Sequence, residues 1–328
     1  MNENRIVLKG TNKRDAAGFL LFVFLLPYVC ACLWGHVGVD KEALYRNDRQ
    51  DQPEVTDYEV QADMGWGVWK IPLEEYLVYK LKMVMPEDYE KEALKAQAVL
   101  LRTEIVQTLW EEGSERLQVS GEGLNEWYET NSFEMEEMED YQQAVKETDG
   151  LYLSYQGEPI QASYFKLSNG QTRDAEEMWE SEKCPYLTSV ACIQDKAAKD
   201  YSSVVSVSKV NYLYVLKPYM AEGYSVEDIW EGMQFSFDNT GYVTSVSFVS
   251  GENKIGEIDG ETFRHLFNLP SASFEAEQEK TQIVFHVTGI GHGFGMSQYS
   301  ANCRALNGET YDQILKEFFF GTELAKIE

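Results

Sequence analysis

Three hundred and twenty-eight residues with 44% hydrophobic and 13% aromatic content exclude a disordered chain or a disulfide-stapled miniprotein, and the length fits one large folded domain or two small ones. The 55 acids against 28 bases leave a formal charge of -27. That surface repels phosphate backbones and anionic headgroups, which excludes nucleic acid as a partner in the absence of a concentrated basic face.

The chain opens with Arg5, Lys9, Lys13 and Arg14, and Ala16 to Trp34 then runs without a charge. A helix of that length roughly matches the ~30 Å hydrocarbon core, and the basic flank keeps the N-terminus in the cytoplasm. The expected organisation is a cytoplasmic tail over 1–15, a transmembrane signal anchor over 16–34, a charged linker over 35–55, and an extracytoplasmic remainder. The protein is thus expected at the cell membrane as a single-pass protein. A cleaved signal peptide, with Val29-Cys30-Ala31 as a weak cleavage site, is the rival reading. A lipid-modified Cys32 is a third, although the residues before it lack the usual Leu.

Beyond the linker, a strand is expected around Tyr58 to Ala62, followed by Gly65 and Gly67. From Ile71 the residues Leu73, Leu77, Leu81 and Val84 recur at spacings that place them on one helix face. Met85-Pro86 closes that helix, because proline lacks a backbone donor and disfavours helix in the residue before it. Proline also suits the first turn of a new helix, which puts Glu87 and Asp88 at a helix N-terminus. Leu94, Ala98, Leu101, Ile105 and Leu109 then form the buried stripe of this second helix, with Ala93 and Ala96 permitting close approach. Between Glu111 and Gln143 the chain is strongly acidic, as a solvated helix or surface insertion would be.

Gly150 to Gly157 reads as strand and turn, with Ile160 to Phe165 returning. Strand signals continue through Tyr212–Leu216, Phe235 and Tyr242–Phe248, the last about the turn Asp238-Asn-Thr-Gly241, and one short helix is expected over Asp259–Phe267. The fold class is therefore α+β, helical in its first half and antiparallel and strand-rich in its second, behind the N-terminal transmembrane helix.

The segment Gly289-Ile-Gly-His-Gly-Phe-Gly-Met-Ser-Gln-Tyr299 carries four glycines at alternate positions. Read as a strand, it leaves one face bare for another backbone or an extended ligand, with His292 and Phe294 on the other. Its glycines match neither a dinucleotide fingerprint nor a phosphate loop, and Ser297 lacks the flanking pattern of a nucleophile elbow. A core histidine is the alternative for His292. A helix from Met296 ends at Asn307-Gly308, and Thr310 to Gln313 opens another with capping-box spacing. Cys184, Cys192 and Cys303 have no CxxC spacing, so no metal site is expected; a Cys184–Cys192 bridge stays open.

Several motifs then occur in a recognisable order: Ile71-Pro-Leu-Glu-Glu-Tyr76, Glu92-Ala-Leu-Lys-Ala-Gln-Ala-Val99 with Arg102-Thr103, Thr148-Asp-Gly150, and His292-Gly-Phe-Gly-Met-Ser-Gln-Tyr299. Together they resemble the stage II sporulation protein D (SpoIID/LytB) family, with Pro185-Tyr-Leu187 and Thr310 to Leu315 extending the likeness over a domain of residues 56–325. The resemblance implies a membrane-anchored peptidoglycan lytic transglycosylase without a cofactor, acting in engulfment beside a cell-wall amidase and a multispanning membrane partner. Such a reaction needs one carboxyl that protonates the glycosidic oxygen and then takes a proton from the sugar's 6-hydroxyl, held in apolar surroundings so that it keeps its proton.

The family places that Glu immediately before the Met-Pro pair, where this chain has Val84. Glu75 and Glu87 are the fallback acids. Phe165 stands where the family shows a histidine, which removes a ligand from any metal role for that loop. Arg102, His292, Ser297, Gln298 and Tyr299 are the expected contacts to glycan strands. Two functions follow: a transglycosylase with a relocated acid, or a catalytically silent glycan-binding or scaffolding relative.

Overall fold

The computed structural model describes residues 58–124, 138–175 and 184–327. The expected cytoplasmic tail, transmembrane anchor and linker all lie outside the described residues. Among these, no helix is long and apolar enough to cross a membrane.

Strand β1 (Glu59–Asp63) turns at Gly65 into β2 (Val68–Pro72), pairing antiparallel, and β3 (Arg116–Ser120) joins the other edge of β1 in parallel. Pro72 caps helix α1 (Leu73–Val84), which buries Leu73, Tyr76, Leu77 and Leu81 as the four-residue spacing demands. Helix α2 (Lys91–Glu112) starts later than expected. Glu90 is its N-cap and Pro86 to Tyr89 form a separate turn, so Glu87 and Asp88 sit outside the helix and the first-turn acid is Glu92.

The expected stripe of α2 is buried, and so are Gln97, Val99, Leu100, Arg102, Thr103 and Val106. A helix enclosed on nearly all sides is the axis of its lobe. Around it pack α1, α3 (Glu139–Glu147), β4 (Leu151–Tyr155), α7 (Gln298–Leu306) and α8 (Tyr311–Phe318). Gly113, in the left-handed region at φ 60, ends α2.

The return expected over Ile160–Phe165 divides between two sheets. Only β5 (Glu158–Pro159) pairs back on β4, whose other edge takes β14 (Glu323–Lys326). Strand β6 (Tyr164–Phe165) instead pairs in parallel with β13 (Met296–Ser297), which brings the glycine-rich segment beside Phe165.

A second hydrophobic core gathers Tyr212, Phe248, Phe263, Phe267, Phe274 and Phe285, all from residues 207–287. It sits between two antiparallel sheets. One is β8 (Met233–Phe237), β9 (Val243–Ser250) and β10 (Asn253–Asp259); the other is β11 (Phe274–Gln278), β12 (Gln282–Thr288) and β7 (Ser202–Ser208). The strand expected over Tyr212–Leu216 is instead helix α4 (Lys209–Leu216). Ser208 caps it, accepting from the Asn211 amide at 3.2 Å, and Tyr212 and Leu216, four apart, face the core. Cap and packing override the strand preference of Tyr-Leu-Tyr-Val-Leu. Helices α5 (Val226–Glu231) and α6 (Gly260–Leu266) complete this lobe, α6 being the short helix expected there.

The first core draws on residues 60–192 and 296–327, so the chain leaves it once and returns once. The crossing points meet where the Gly289 amide donates to the Tyr201 carbonyl at 2.9 Å. The architecture is α+β, with helices and antiparallel sheets as the sequence implies.

Candidate functional site

Helix α1 ends at Val84, and the turn after it is held by side chains from three directions. The Gln298 Nε2 donates to the Val84 carbonyl at 3.1 Å. The Tyr141 hydroxyl donates to the Met85 carbonyl at 3.0 Å, and Asn302 Oδ1 accepts from the Glu90 amide at 2.8 Å. A carbonyl at a helix C-terminus has no intrahelical partner, so these bonds fix the backbone at a place that would otherwise fray. Tyr89, half-buried in the same turn, has its phenol pushed up to about 12, by burial first and then by the charge of Asp88.

The glycine-rich segment that leads into α7 is not the strand its alternation suggests. Gly289, Gly291, Gly293 and Gly295 have φ of 78°, 112°, 86° and 77°, a left-handed backbone that only glycine adopts without strain. Each also lies against a neighbour. A Cβ on Gly291 would stand 2.6 Å from the Phe165 Cβ, and one on Gly293 2.7 Å from the Tyr242 ring. The bare face is therefore used for internal packing. Arg173 clamps the loop from behind: its guanidinium lies 4.4 Å from the Phe294 ring centroid, bonds Asp238 at 2.7 Å, and its backbone amide reaches the Gly293 carbonyl at 2.8 Å.

A buried carboxylate anchors the end of this loop. Asp195, with no exposed surface, accepts from the Ser297 hydroxyl at 2.7 Å, the Ser300 hydroxyl at 2.6 Å and the Ser168 amide at 2.7 Å. Ser297 in turn caps α7, accepting from the Ser300 amide at 3.3 Å. These donors compensate the charge that burial would otherwise penalise.

Most residues expected to contact glycan are committed internally. Arg102 has no exposed surface. Its Nε donates to Glu74 Oε1 at 2.8 Å, its Nη2 bonds Glu74 Oε2, and its Nη1 donates to the Leu151 carbonyl at 2.8 Å, so it ties α1 to α2 and β4. Ser297 is buried on Asp195, and Gln298 is divided between Val84 and Gln97 Oε1, each at 3.1 Å. His292 is half-buried, and its Nδ1 accepts from the Phe294 amide at 3.1 Å while the ring bonds the Tyr164 backbone. Burial holds its pKa below the ordinary value. Its ring lies tilted against Phe165, the centroids 5.7 Å apart.

Tyr299, like His292, is half-exposed; it stands in the first turn of α7, with its amide on the Lys166 carbonyl at 3.2 Å and its hydroxyl raised in pKa, chiefly by burial. Glu75 and Glu87 are both exposed, Glu75 at the opposite end of α1 from Val84. Among the described residues, no three His, Cys, Asp or Glu side chains come together as a metal centre. Cys184, Cys192 and Cys303 are free thiols, and burial pushes the Cys192 thiol up to about 11. Gln97, Tyr141, Asp195 and Asn302 were not singled out in the sequence. Gln97 lies inside the Glu92–Val99 motif, whereas the other three carry no local signal.

An α+β domain whose glycine-rich loop leads into helix α7, which grips the end of α1 through Gln298 and Asn302, is the class of structure this geometry defines. The stage II sporulation protein family model matches residues 65–155, from the β1–β2 turn through β4. The chain is 30% identical over 277 residues to stage II sporulation protein D of Bacillus subtilis (strain 168), spanning 80% of this chain and 77% of that one. It is 31% identical to stage II sporulation protein D of Bacillus amyloliquefaciens, over 80% and 76% of the two chains. The amidase enhancer of Bacillus subtilis (strain 168) is 25% identical over 73% of this chain and 39% of its own length. The chain belongs to the stage II sporulation protein D family.

Proposed function

We propose that this protein is a cell-wall protein of the sporulation and engulfment type, held at the membrane by residues 16–34 with its 56–325 domain outside, that binds peptidoglycan glycan strands without cleaving them. The observation that carries the reading is the side chain at position 84. Glycosidic cleavage requires a carboxyl that carries a proton into an apolar site. Val84 occupies the family's acid position, packs against the first core and has no proton to give. Glu74 is engaged with Arg102, and Glu75 and Glu87 are solvent-exposed rather than enclosed in an apolar site.

The glycan-facing surface is assigned to Tyr299, Tyr89 and the 85–90 turn, with Ser297, Gln298 and Arg102 as the frame behind it. Aromatic side chains of this kind offer a flat apolar face and a hydroxyl to sugar rings. A partner among cell-wall amidases is supported by the likeness to a protein named amidase enhancer, and the family resemblance adds a multispanning membrane protein.

The full chain, incubated with purified glycan strands, is expected to retain them in a pull-down and to release no 1,6-anhydro ends. Abundant anhydro product that disappears in E75Q or E87Q would establish a relocated acid and overturn this reading. Absence of retention would remove the binding function.

A further inference from the structure

The turn from β1 into β2, Met64-Gly-Trp-Gly-Val-Trp69, carries a pair of tryptophans. Trp69 packs against the first core, and Trp66 meets it edge to face, with ring centroids 5.5 Å apart and planes at 85°. A contact of that kind covers no more than one face of the Trp66 ring. Trp66 is 67% exposed, and Val68 beside it 62%.

The backbone under Trp66 is fixed. The Met64 amide donates to the Gly67 carbonyl at 2.9 Å, Asp63 Oδ1 accepts from the Gly65 amide at 2.9 Å, and the Gly121 amide donates to the Asp63 carbonyl at 2.7 Å. Gly121 lies so close that a Cβ there would stand 2.5 Å from the Met64 sulfur. A large apolar ring held in place and left in water is already arranged for a ligand that covers it.

Charge narrows the choice of ligand. No Lys, Arg or His occurs from Tyr58 to Trp69, while Asp63 and Glu122 are both exposed beside the turn. Lys70 reaches back to Glu59 at the far end of β1, 3.2 Å away. An acidic surround without a cation repels anionic headgroups and phosphates. A sugar ring carries no charge, and its C–H faces suit a flat indole while its hydroxyls stay in water.

We propose that Trp66 is a stacking platform for a sugar ring of a glycan strand, in addition to the surface of Tyr89 and Tyr299. This rests on the reading of the chain as a glycan binder. A strand is a polymer, so two contacts on one domain reinforce each other.

The test is the retention of purified glycan strands by the full chain, titrated for the wild type, W66A and W66Y. W66A is expected to raise the Kd by about tenfold, the loss of one aromatic contact, and W66Y by less than about threefold because a flat ring remains. Equal affinity of wild type and W66A overturns this inference and leaves the glycan-binding reading in place. Failure of the wild type to retain strands overturns both. If W66A does not fold, the wild type is labelled with fluorotryptophan and its Trp66 resonance identified by its absence from W66Y. That resonance should shift when strands are added. A resonance unmoved by strands, or one that moves only with phosphatidylcholine vesicles, overturns the proposal.

Discussion

The side-chain amide of Gln298 and the backbone carbonyl of Val84, 214 residues apart in sequence, are joined by a 3.1 Å hydrogen bond. Through it the first turn of α7 is tied to the last residue of α1, where Pro86 closes the helix. The backbone at position 84, on which the proposed reading turns, is thus held by Gln298, which follows the glycine-rich segment.

Restoring the carboxyl with V84E should create or raise release of 1,6-anhydro ends from glycan strands. The half-buried apolar setting should cost about 1–3 kcal/mol of stability even with the acid protonated. The same setting raises the folded-state pKa above the unfolded value of about 4.3. V84E should therefore lose stability relative to V84Q as pH rises from about 4.3 towards the folded pKa. A Tm difference that is flat with pH would rule out the apolar setting.

Arg102 and Glu74 give an asymmetric pair of substitutions. E74A strands a guanidinium with no exposed surface, whereas Glu74 keeps 24% of its side chain exposed and can reach water. E74A is expected to cost about 3 kcal/mol or more by urea unfolding. Where E74Q remains folded, retention of glycan strands should match the wild type. Loss of binding in a fully folded E74Q would return Arg102 to the contact surface.

Burial holds the His292 pKa below its ordinary value, so the folded chain keeps the ring neutral while the unfolded chain takes up a proton near pH 6.5. The stabilisation is present above that pH and is lost as pH falls through 6.5 towards the folded pKa, with a slope of up to about 1.4 kcal/mol per pH unit from this group. H292Q should flatten that portion of the stability curve. An unchanged slope between pH 6.5 and 5 would assign the dependence to other groups.

Gly293 and Gly157 share a left-handed backbone, at φ 86° and 88°, but differ in surroundings. A Cβ on Gly157 meets open space, while one on Gly293 meets the Tyr242 ring. G157A should cost about 1–2 kcal/mol from backbone strain alone, and G293A about 2–5 kcal/mol from strain plus overpacking. Equal losses in chemical denaturation would contradict the packing described for the loop.

What the sequence revealed follows the reach of each interaction. The stripes of α1 and α2, the cap at Thr310 and the stop at Gly308 arise from neighbours within a turn or two, and periodicity carries them. Helix α4 was concealed because β-prone residues there are overruled by a single serine cap and a distant core. The glycine alternation has the period of a strand, yet its cause is close packing against Phe165 and Tyr242, which no spacing rule encodes. Arg102 finds its acid on the preceding helix and Asp195 its serines about a hundred residues away, so composition gave them no mark.

The bond between Tyr201 and Gly289 makes residues 202–288 an excisable module. Joining these two positions by a tight turn leaves every residue of the first core in its place, because the excursion starts and finishes at one point. Excision would remove Asp238 from beneath Arg173 and Tyr242 from beneath Gly293, together with the bonds of Asn169 to Thr240 and Ser273 and of the Gly291 amide to the Pro270 carbonyl. The second lobe thus acts as a buttress to the loop, tied to it at several points, while the turn at residues 84–90 is tied to Tyr141, Gln298 and Asn302 of the first lobe.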